Sequence, residues 1–398
     1  MALDFELSDE QKMIQDAVRE MMGKYLSHRQ EILKMMFQEK KFPQDLWQDF
    51  AHLGLTGCLV PEEYGGNNQG LLTLCLALEE ISAQGFPPAI LLLSAMDTTC
   101  ILNNGSEELK KEFLPKIASG EIKLSWALTE PNAGSNAFRI ETFAKKDGDE
   151  YVLNGQKVFI TGVDITDFTL VVARTTSVED LKAQGLPKTF GLSLFLVPTN
   201  AKGFKKQILP MHGIEGMNQF QLFFEDVRVP EKYRIGDENA GVMALFNSLN
   251  PERIMAGAIC LGMTEFALQK ACDYAKERSI FGKKPIGAYQ AISHPLAKIK
   301  IDQEALRLIV YKAAWAFDQG WNPGKVGPFA NMAKYLGAET AIQAADRAIQ
   351  TLGGYGFSEE YEVIYLWESA RLLRTAPISH EMILNFMAEH VLGLPRSY

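Results

Sequence analysis

Asp97 interrupts an apolar stretch, Leu91-Leu-Leu-Ser-Ala-Met-Asp-Thr-Thr-Cys-Ile-Leu102. A buried carboxyl without a partner is costly and tends to be functional where it occurs; an Asp before Thr98-Thr99 equally suits a cap or a local hydrogen bond. Asn250-Pro251-Glu252-Arg253 sets a carboxylate beside a guanidinium. The same residues also read as a plain helix start, with Asn250 as N-cap, Pro251 first and Glu252 in the first turn. Asn132-Ala-Gly-Ser135 is a turn of small residues. Gly134 permits close backbone approach and Ser135 offers a hydroxyl to a phosphate, although an ordinary turn has the same composition. Arg278 can fork onto oxygen anions or lie on a solvated helix face. Gly353-Gly354 reads as a helix C-cap followed by a turn.

The elements that must position these residues fall into three blocks. The first is helical. Ser8 and Gln11 form a capping box opening a helix over Asp9–Tyr25, and Leu71–Ser82 and Glu107–Ala118 follow, the latter opened by Ser106. From about Leu124 the period changes to two. Asn154-Gly155 between Glu150–Leu153 and Gln156–Ile160 predicts a hairpin, and Phe168–Ala173, Gly191–Val197 and Phe220–Val229 predict further strands. Without βαβ alternation this block reads as antiparallel. After Gly236 helical periodicity returns over Ala256–Arg278, Ala291–Gln319, Gly327–Leu352 and Tyr361–Leu392, which predicts a four-helix bundle. The expected class is α+β, with domains at 1–122, 123–235 and 236–398.

At 398 residues the chain has room for two or three domains. Its 47% hydrophobic and 22% charged residues exclude a disordered or fibrous protein. A net charge of −9 weighs against a nucleic-acid or anionic-membrane partner, both of which need a basic face. Cys58, Cys75, Cys100, Cys260 and Cys272 form no CxxC pair and read as reduced thiols. The start, MALDFELSDEQK, lacks the basic and apolar regions of a secretory signal, and no apolar run is long enough to span a bilayer. A soluble cytoplasmic enzyme is the expectation.

Four stretches give a sharper reading: Trp126-Ala-Leu-Thr-Glu-Pro-Asn-Ala-Gly-Ser135; Leu153-Asn-Gly-Gln-Lys-Val-Phe-Ile-Thr161; Glu277-Arg-Ser-Ile-Phe-Gly-Lys283 with Gln290; and Gln350-Thr-Leu-Gly-Gly-Tyr-Gly356. In this order and spacing they resemble the motifs of the acyl-CoA dehydrogenase family, over essentially the whole chain. The resemblance implies an FAD flavoprotein with an α-helical domain, a β-barrel-like domain and a helical bundle. It further implies a homotetramer built as a dimer of dimers. Such enzymes take an α-proton and a β-hydride from an acyl-CoA thioester, the hydride going to flavin N5 and the electrons to electron-transfer flavoprotein.

By the same resemblance Trp126, Leu128, Thr129, Gly134, Ser135 and Thr161 bind the cofactor, the Thr hydroxyls serving flavin O2/N3 and N5. Phe159 stands where many members carry Trp over one flavin face; as an isolated strand residue it would be core. Ser135 also serves the pantetheine of the substrate, and Asn136 replaces the usual Asp beside it. Arg278, Phe281 and Gln290 match positions that cross the dimer interface to FAD. Gln350, Gly353 and Gly354 match the adenine end, and Ser379 and Glu381 the adenosine side.

The catalytic base departs from the common pattern. The late position that usually holds the Glu is Pro377. Proline also removes an N–H that would stabilise the enolate oxygen, leaving a neighbour such as Ile378 to supply it. A minority of the family carries the base on an earlier helix, directly before a substrate-binding Arg. That pattern assigns the base to Glu252, with Asn250 and Arg253 on the substrate. Asp97 lies in a segment that lines the acyl pocket in this family. There it would be a second base, reaching beyond Cα in a 1,4-elimination on an alicyclic enoyl-CoA. A flavin oxidase or monooxygenase, an enoyl-CoA reductase and a non-catalytic subunit are the alternatives on the same fold. Glu215, where an Arg is common, and Trp367-Glu368 carry no assigned role.

Overall fold

The computed structural model describes residues 6–86, 88–214 and 216–396, so Glu215 lies outside the described residues. The chain forms two compact units. One comprises Glu39–Asn68 and Ala89–Glu252; the other comprises Met1–Gln38, Gln69–Pro88 and Arg253–Tyr398.

The first unit is organised by a sheet of eight strands: β1 (Leu124–Ala127), β2 (Phe143–Asp147), β3 (Glu150–Thr161), β4 (Phe168–Arg174), β5 (Leu192–Pro198), β6 (Phe204–Leu209), β7 (Gln219–Pro230) and β8 (Arg234–Ile235). Their order is β6-β7-β3-β2-β4-β5-β8, with β1 added on β4. β4 and β5 are buried on both faces, which is why they are mostly apolar without a strict alternation of polar residues. Leu170, Val172, Leu194 and Leu196 pack with Cys100, Ile101, Phe113 and Ile117 of helices Ala89–Asn104 and Glu107–Ala118. Val171, Ala173, Phe195 and Val197 face the opposite way, into a second core with Tyr151, Leu153, Leu222 and Val229.

Two expectations for this unit need correction. The sheet is not purely antiparallel: β1 pairs with β4 in parallel through Leu124↔Phe168 to Ala127↔Val171, and β2 meets β4 in parallel at Phe143↔Arg174. Asn154-Gly155 does not turn a hairpin either. β3 runs straight through it, and the turn comes earlier, where Asp147↔Glu150 closes around Gly148 at φ 66°. Gly155 (φ 144°) sits instead where β3 shifts register against β7, and a Cβ there would lie 2.6 Å from Thr142 Cα. Both tasks, turning and bulging, select Gly, and the local sequence does not separate them.

The second unit is helical. Helix Asp9–Leu26 carries the Ser8–Gln11 capping box, with Gln11 N–H donating to Ser8 Oγ at 3.2 Å and Ser8 N–H to Gln11 Oε1 at 3.0 Å. Helices Gly70–Ala83, Gln290–Asp318, Pro323–Leu352 and Val363–Leu372 pack with the later part of a long helix, Gly241–Glu277. Gly262 of that long helix lies so close to Gly70–Ala83 that a Cβ would fall 2.1 Å from the Glu79 carbonyl oxygen. Buried Glu79 accepts from Arg307 Nη2 at 3.0 Å and Tyr311 Oη at 2.8 Å, which ties the same helix to Gln290–Asp318.

Helix boundaries depart from the periodicity at two places. Asn250-Pro251 does not open a helix, because the helix has already begun at Gly241 and Pro251 is inside it. An internal proline leaves the carbonyl one turn earlier without its helical donor, and this one is accommodated within an otherwise continuous apolar helix. At the other end, Tyr361–Leu392 is not one helix. It breaks after Leu372, and a new helix, His380–Phe386, starts on the cap Ser379. Pro377 lies in the break, so Glu381 is not one turn along a helix from it.

Candidate active site

A second irregularity in β3 shapes the candidate site of the sheet unit. Lys157 pairs with Leu222 but Ile160 with Phe220, so β3 bulges between them. Phe159 sits in the bulge at φ 60°, a conformation that bulky residues rarely adopt, and its side chain is 58% exposed rather than buried in the core. The strained backbone turns an aromatic ring outward on the strand that holds Thr161. Thr161 Oγ1 accepts from Gln219 Nε2 at 2.7 Å, which leaves its own proton to donate. Thr129 does the reverse: its hydroxyl donates to the Val158 carbonyl at 2.5 Å and keeps its lone pairs to accept. Val158 N–H donates back to the Thr129 carbonyl at 2.9 Å, so Thr129 is stitched to the bulged strand. Trp126 and Leu128, partly buried, pack on the core beneath.

Two residues without an assigned role in the sequence reading hold this arrangement. Lys157, fully buried, donates to the Leu128 carbonyl at 2.9 Å and to Glu130 Oε1 at 2.8 Å. Glu130 also accepts from the N–H groups of Glu141 (2.6 Å) and Thr142 (3.0 Å). Burial pushes the Lys157 ammonium down to about 8 against the pull of Glu130. Burial works the other way on Glu130, but Lys157 and the two N–H donors outweigh it and hold the carboxyl below its ordinary range. Glu130 lies within Trp126–Ser135 and Lys157 within Leu153–Thr161. A charged residue in an alternating strand at an inward position was the signal that could have found Lys157.

The turn Asn132–Ser135 follows, with Gly134 and Ser135 exposed and open space around the Gly134 Cβ direction. The close backbone approach expected of Gly134 is therefore not made within the chain.

Asp97 and Glu252 belong to this same unit. Asp97 lies inside helix Ala89–Asn104, fully buried, and neither carboxyl oxygen has a hydrogen-bond partner among the described residues. The capping alternative fails: Thr98 and Thr99 hydroxyls donate backward to the Ser94 and Met96 carbonyls, each at 2.6 Å. Burial first, and then the charge of Glu252, push the Asp97 carboxyl well above the usual carboxylate range. Glu252 is itself buried at 6% exposure, inside the long helix rather than in its first turn, and Asn250 is buried at 8%. Two acids that are 155 residues apart in sequence (252 − 97) are thus close enough to repel. Arg253, partly buried, is next in the chain.

In the helical unit a cleft of about 870 Å³ gathers Arg278, Phe281, Gly353 and Gly354 with Tyr274 and Tyr355. Phe281 is fully exposed at φ 52°, a second aromatic ring held outward by a left-handed backbone. Gln290 opens helix Gln290–Asp318 between Tyr289 and Ala291, which line the cleft, and Gln350 precedes Thr351, which also lines it; neither Gln does so itself. The expected Gly353 cap holds: Gly353 follows the last residue of Pro323–Leu352 at φ 62°. Ser379 accepts from Met382 N–H at 3.3 Å, and Glu381 is exposed in the first turn it caps. Before it, buried Lys334 donates to the Ile378 carbonyl.

Three family models match nearly the whole chain: the N-terminal (residues 8–121), middle (125–227) and C-terminal (239–392) domains of acyl-CoA dehydrogenase. The chain belongs to the acyl-CoA dehydrogenase family. Among relatives, acyl-CoA dehydrogenase FadE12 of Mycobacterium tuberculosis is 42% identical over 98% of this chain and 98% of its own. Cyclohex-1-ene-1-carbonyl-CoA dehydrogenase of Syntrophus aciditrophicus is 33% identical over 92% of this chain and 86% of its own. The butyryl-CoA dehydrogenase structure from Megasphaera elsdenii superposes with a TM-score of 0.90 at 30% identity, covering 98% of this chain and all of that one.

This acyl-CoA dehydrogenase is an oxidoreductase acting on CH–CH groups, with FAD as cofactor, and its α+β fold is that of the family. The residues present suit FAD. A flavin edge offers both an N–H and bare acceptor nitrogens and oxygens, and Thr129 and Thr161 are left respectively as acceptor and donor. The Gly353–Gly354 pair meets nothing where a Cβ would project, so the cleft keeps room for a flat group beside Arg278. No described helix is long and apolar enough to cross a membrane.

Proposed function

We propose that this enzyme oxidises an acyl-CoA thioester with Glu252 as the base for the α-proton. When bound, FAD accepts the β-hydride. Every other task falls to side chains. Thr161 donates toward flavin N5, Thr129 accepts at the pyrimidine edge, and Phe159 covers one face of the ring. Trp126, Leu128, Gly134 and Ser135 complete that side. Arg278, Phe281, Gln290, Gln350, Gly353, Gly354, Ser379 and Glu381 serve the adenosine and pyrophosphate. Asn250 and Arg253 hold the thioester's CoA part. The reading includes a homotetramer, a cytoplasmic setting, three domains with boundaries near 122 and 235, and electron-transfer flavoprotein as acceptor.

The observation that carries it is the place of Glu252. A carboxylate buried inside a helix, close to a second buried acid whose carboxyl burial pushes upward, is the kind of arrangement that proton-transfer sites use. The test is anaerobic bleaching of the flavin by linear, branched and alicyclic CoA esters. Glu252→Gln is expected to slow bleaching by about a thousandfold with every ester while FAD stays bound. An undiminished rate sinks the assignment.

A second reading has its own support. Asp97 has two buried oxygens without partners, and a relative carries a ring-acyl name. In that reading Asp97 takes a proton beyond Cα from an alicyclic enoyl-CoA in a 1,4-elimination. Asp97→Asn then loses activity on ring esters with FAD still bound; normal turnover of those esters by the variant removes this reading and leaves the first intact.

A further inference from the structure

Arg174 is the last residue of β4, 3% exposed, and its guanidinium serves four backbone carbonyls. Nε donates to Ile140 at 3.0 Å, Nη2 to Phe138 at 2.6 Å and Lys188 at 3.2 Å, and Nη1 to Phe190 at 3.3 Å. These carbonyls belong to two segments far apart in sequence: the stretch that follows Ser135, and the loop between helix Val178–Ala183 and β5. The first stretch is gripped from its other side too. Glu130 takes the N–H groups of Glu141 and Thr142, while the Arg174 N–H itself donates to the Thr142 carbonyl at 2.8 Å. Residues 138–142 are therefore stretched between a buried anion on their N–H groups and a buried cation on their carbonyls. Such charge-assisted bonds are stronger than neutral ones and costly to leave unmade. Each of the two joined segments carries one exposed cation, Arg139 on the first and Lys188 on the second, on a chain whose net charge is −9.

We infer that Arg174 is a positioning residue for substrate binding: it locks the Ser135–Ile140 and Lys188–Phe190 segments into one surface that receives the phosphate-bearing end of the CoA ester. The inference rests on the proposed CoA-ester substrate and on Ser135 lying against it. It adds that the clamp acts on the nucleotide end and not on the acyl chemistry. Lysine has no fork to span four carbonyls, so Arg174→Lys is expected to fail as Arg174→Met does.

The test compares one acyl group carried on CoA and on pantetheine, which lacks the phosphorylated nucleotide. Arg174→Met and Arg174→Lys are expected to raise KM for the CoA ester about tenfold, with kcat held within about threefold and KM for the pantetheine ester within about twofold. Equal KM shifts for both esters, or no shift for either, overturn the inference. Wild-type amide exchange with and without free CoA gives an answer even if both variants misfold. Residues 136–140 and 186–190 are expected to gain protection together; protection of one segment alone, or of neither, overturns it. If no thioester bleaches the flavin, the proposed reaction fails, and the exchange experiment still decides the clamp on its own.

Discussion

Two buried charge sites of the sheet unit are built on opposite plans. Around β3, Lys157 and Glu130 are both buried, and the donors and acceptors meet: ammonium to carboxylate and carbonyl, carboxylate to two backbone N–H groups. Asp97 is equally buried and is left with two bare oxygens beside another acid. The satisfied network fixes backbone, here the Leu128–Glu130 segment, which includes the Thr129 proposed for the flavin edge. The Asp97 carboxyl bonds to none of the described residues, and a buried acid without a compensating bond marks a candidate functional group.

Lys157→Met is expected to have the largest effect. Removing one partner of a buried pair strands the other, so unfolding by denaturant should show a loss of about 3–5 kcal/mol, and the purified protein should lose its yellow colour on gel filtration. A loss under about 1 kcal/mol would mean that the pair is not what holds the frame. Gly155→Ala probes the same frame through the backbone. A Cβ would lie 2.6 Å from Thr142 Cα at a φ of 144°, and about 1–3 kcal/mol of strain is expected in the same measurement. Asp97→Leu should do the opposite and stabilise the protein by about 1–2 kcal/mol while impairing turnover, because it removes two desolvated oxygens that bond to nothing.

The smallest effects are in pH dependence, and their signs separate the two sites. Asp97 has a folded pKa raised above its unfolded value, so the native state keeps a proton that the unfolded chain has lost. Stability from this group is full below the ordinary Asp range and falls as pH rises through the folded pKa. Lys157 is depressed from 10.5 to about 8, so between those values the unfolded chain binds more protons and stability rises with pH. Each slope is at most about 1.4 kcal/mol per pH unit. Thermal unfolding against pH should lose the falling limb in Asp97→Asn and keep the rising one.

Much of this was legible in the residues. The helix starts at Ser8 and Ser106 came out where expected, as did the strands in Phe168–Ala173 and Gly191–Val197, read from their β-branched and aromatic residues. The errors share a cause. Asn-Gly at 154–155 suits a turn or a bulge, Asn-Pro-Glu at 250–252 suits a helix start or a tolerated interior proline, and Tyr361–Leu392 keeps an apolar period across a break. In each the local pattern is compatible with two backbones, and long-range packing chooses: Thr142 against Gly155, an apolar helix already running from Gly241, and Lys334 holding the Ile378 carbonyl.

What the residues determined alone were features whose physics closes within a few positions: the serine helix caps, the strand runs, and through the motifs the family. Only the tertiary structure decided which polar groups are satisfied. Asp97 has no bond, Lys157 has two and Arg174 has four, and nothing in their neighbours along the chain distinguishes the three. The reason is that a buried side chain's partners are set by strands and helices arriving from tens to hundreds of residues away, so its energy belongs to the packed fold and not to its own segment.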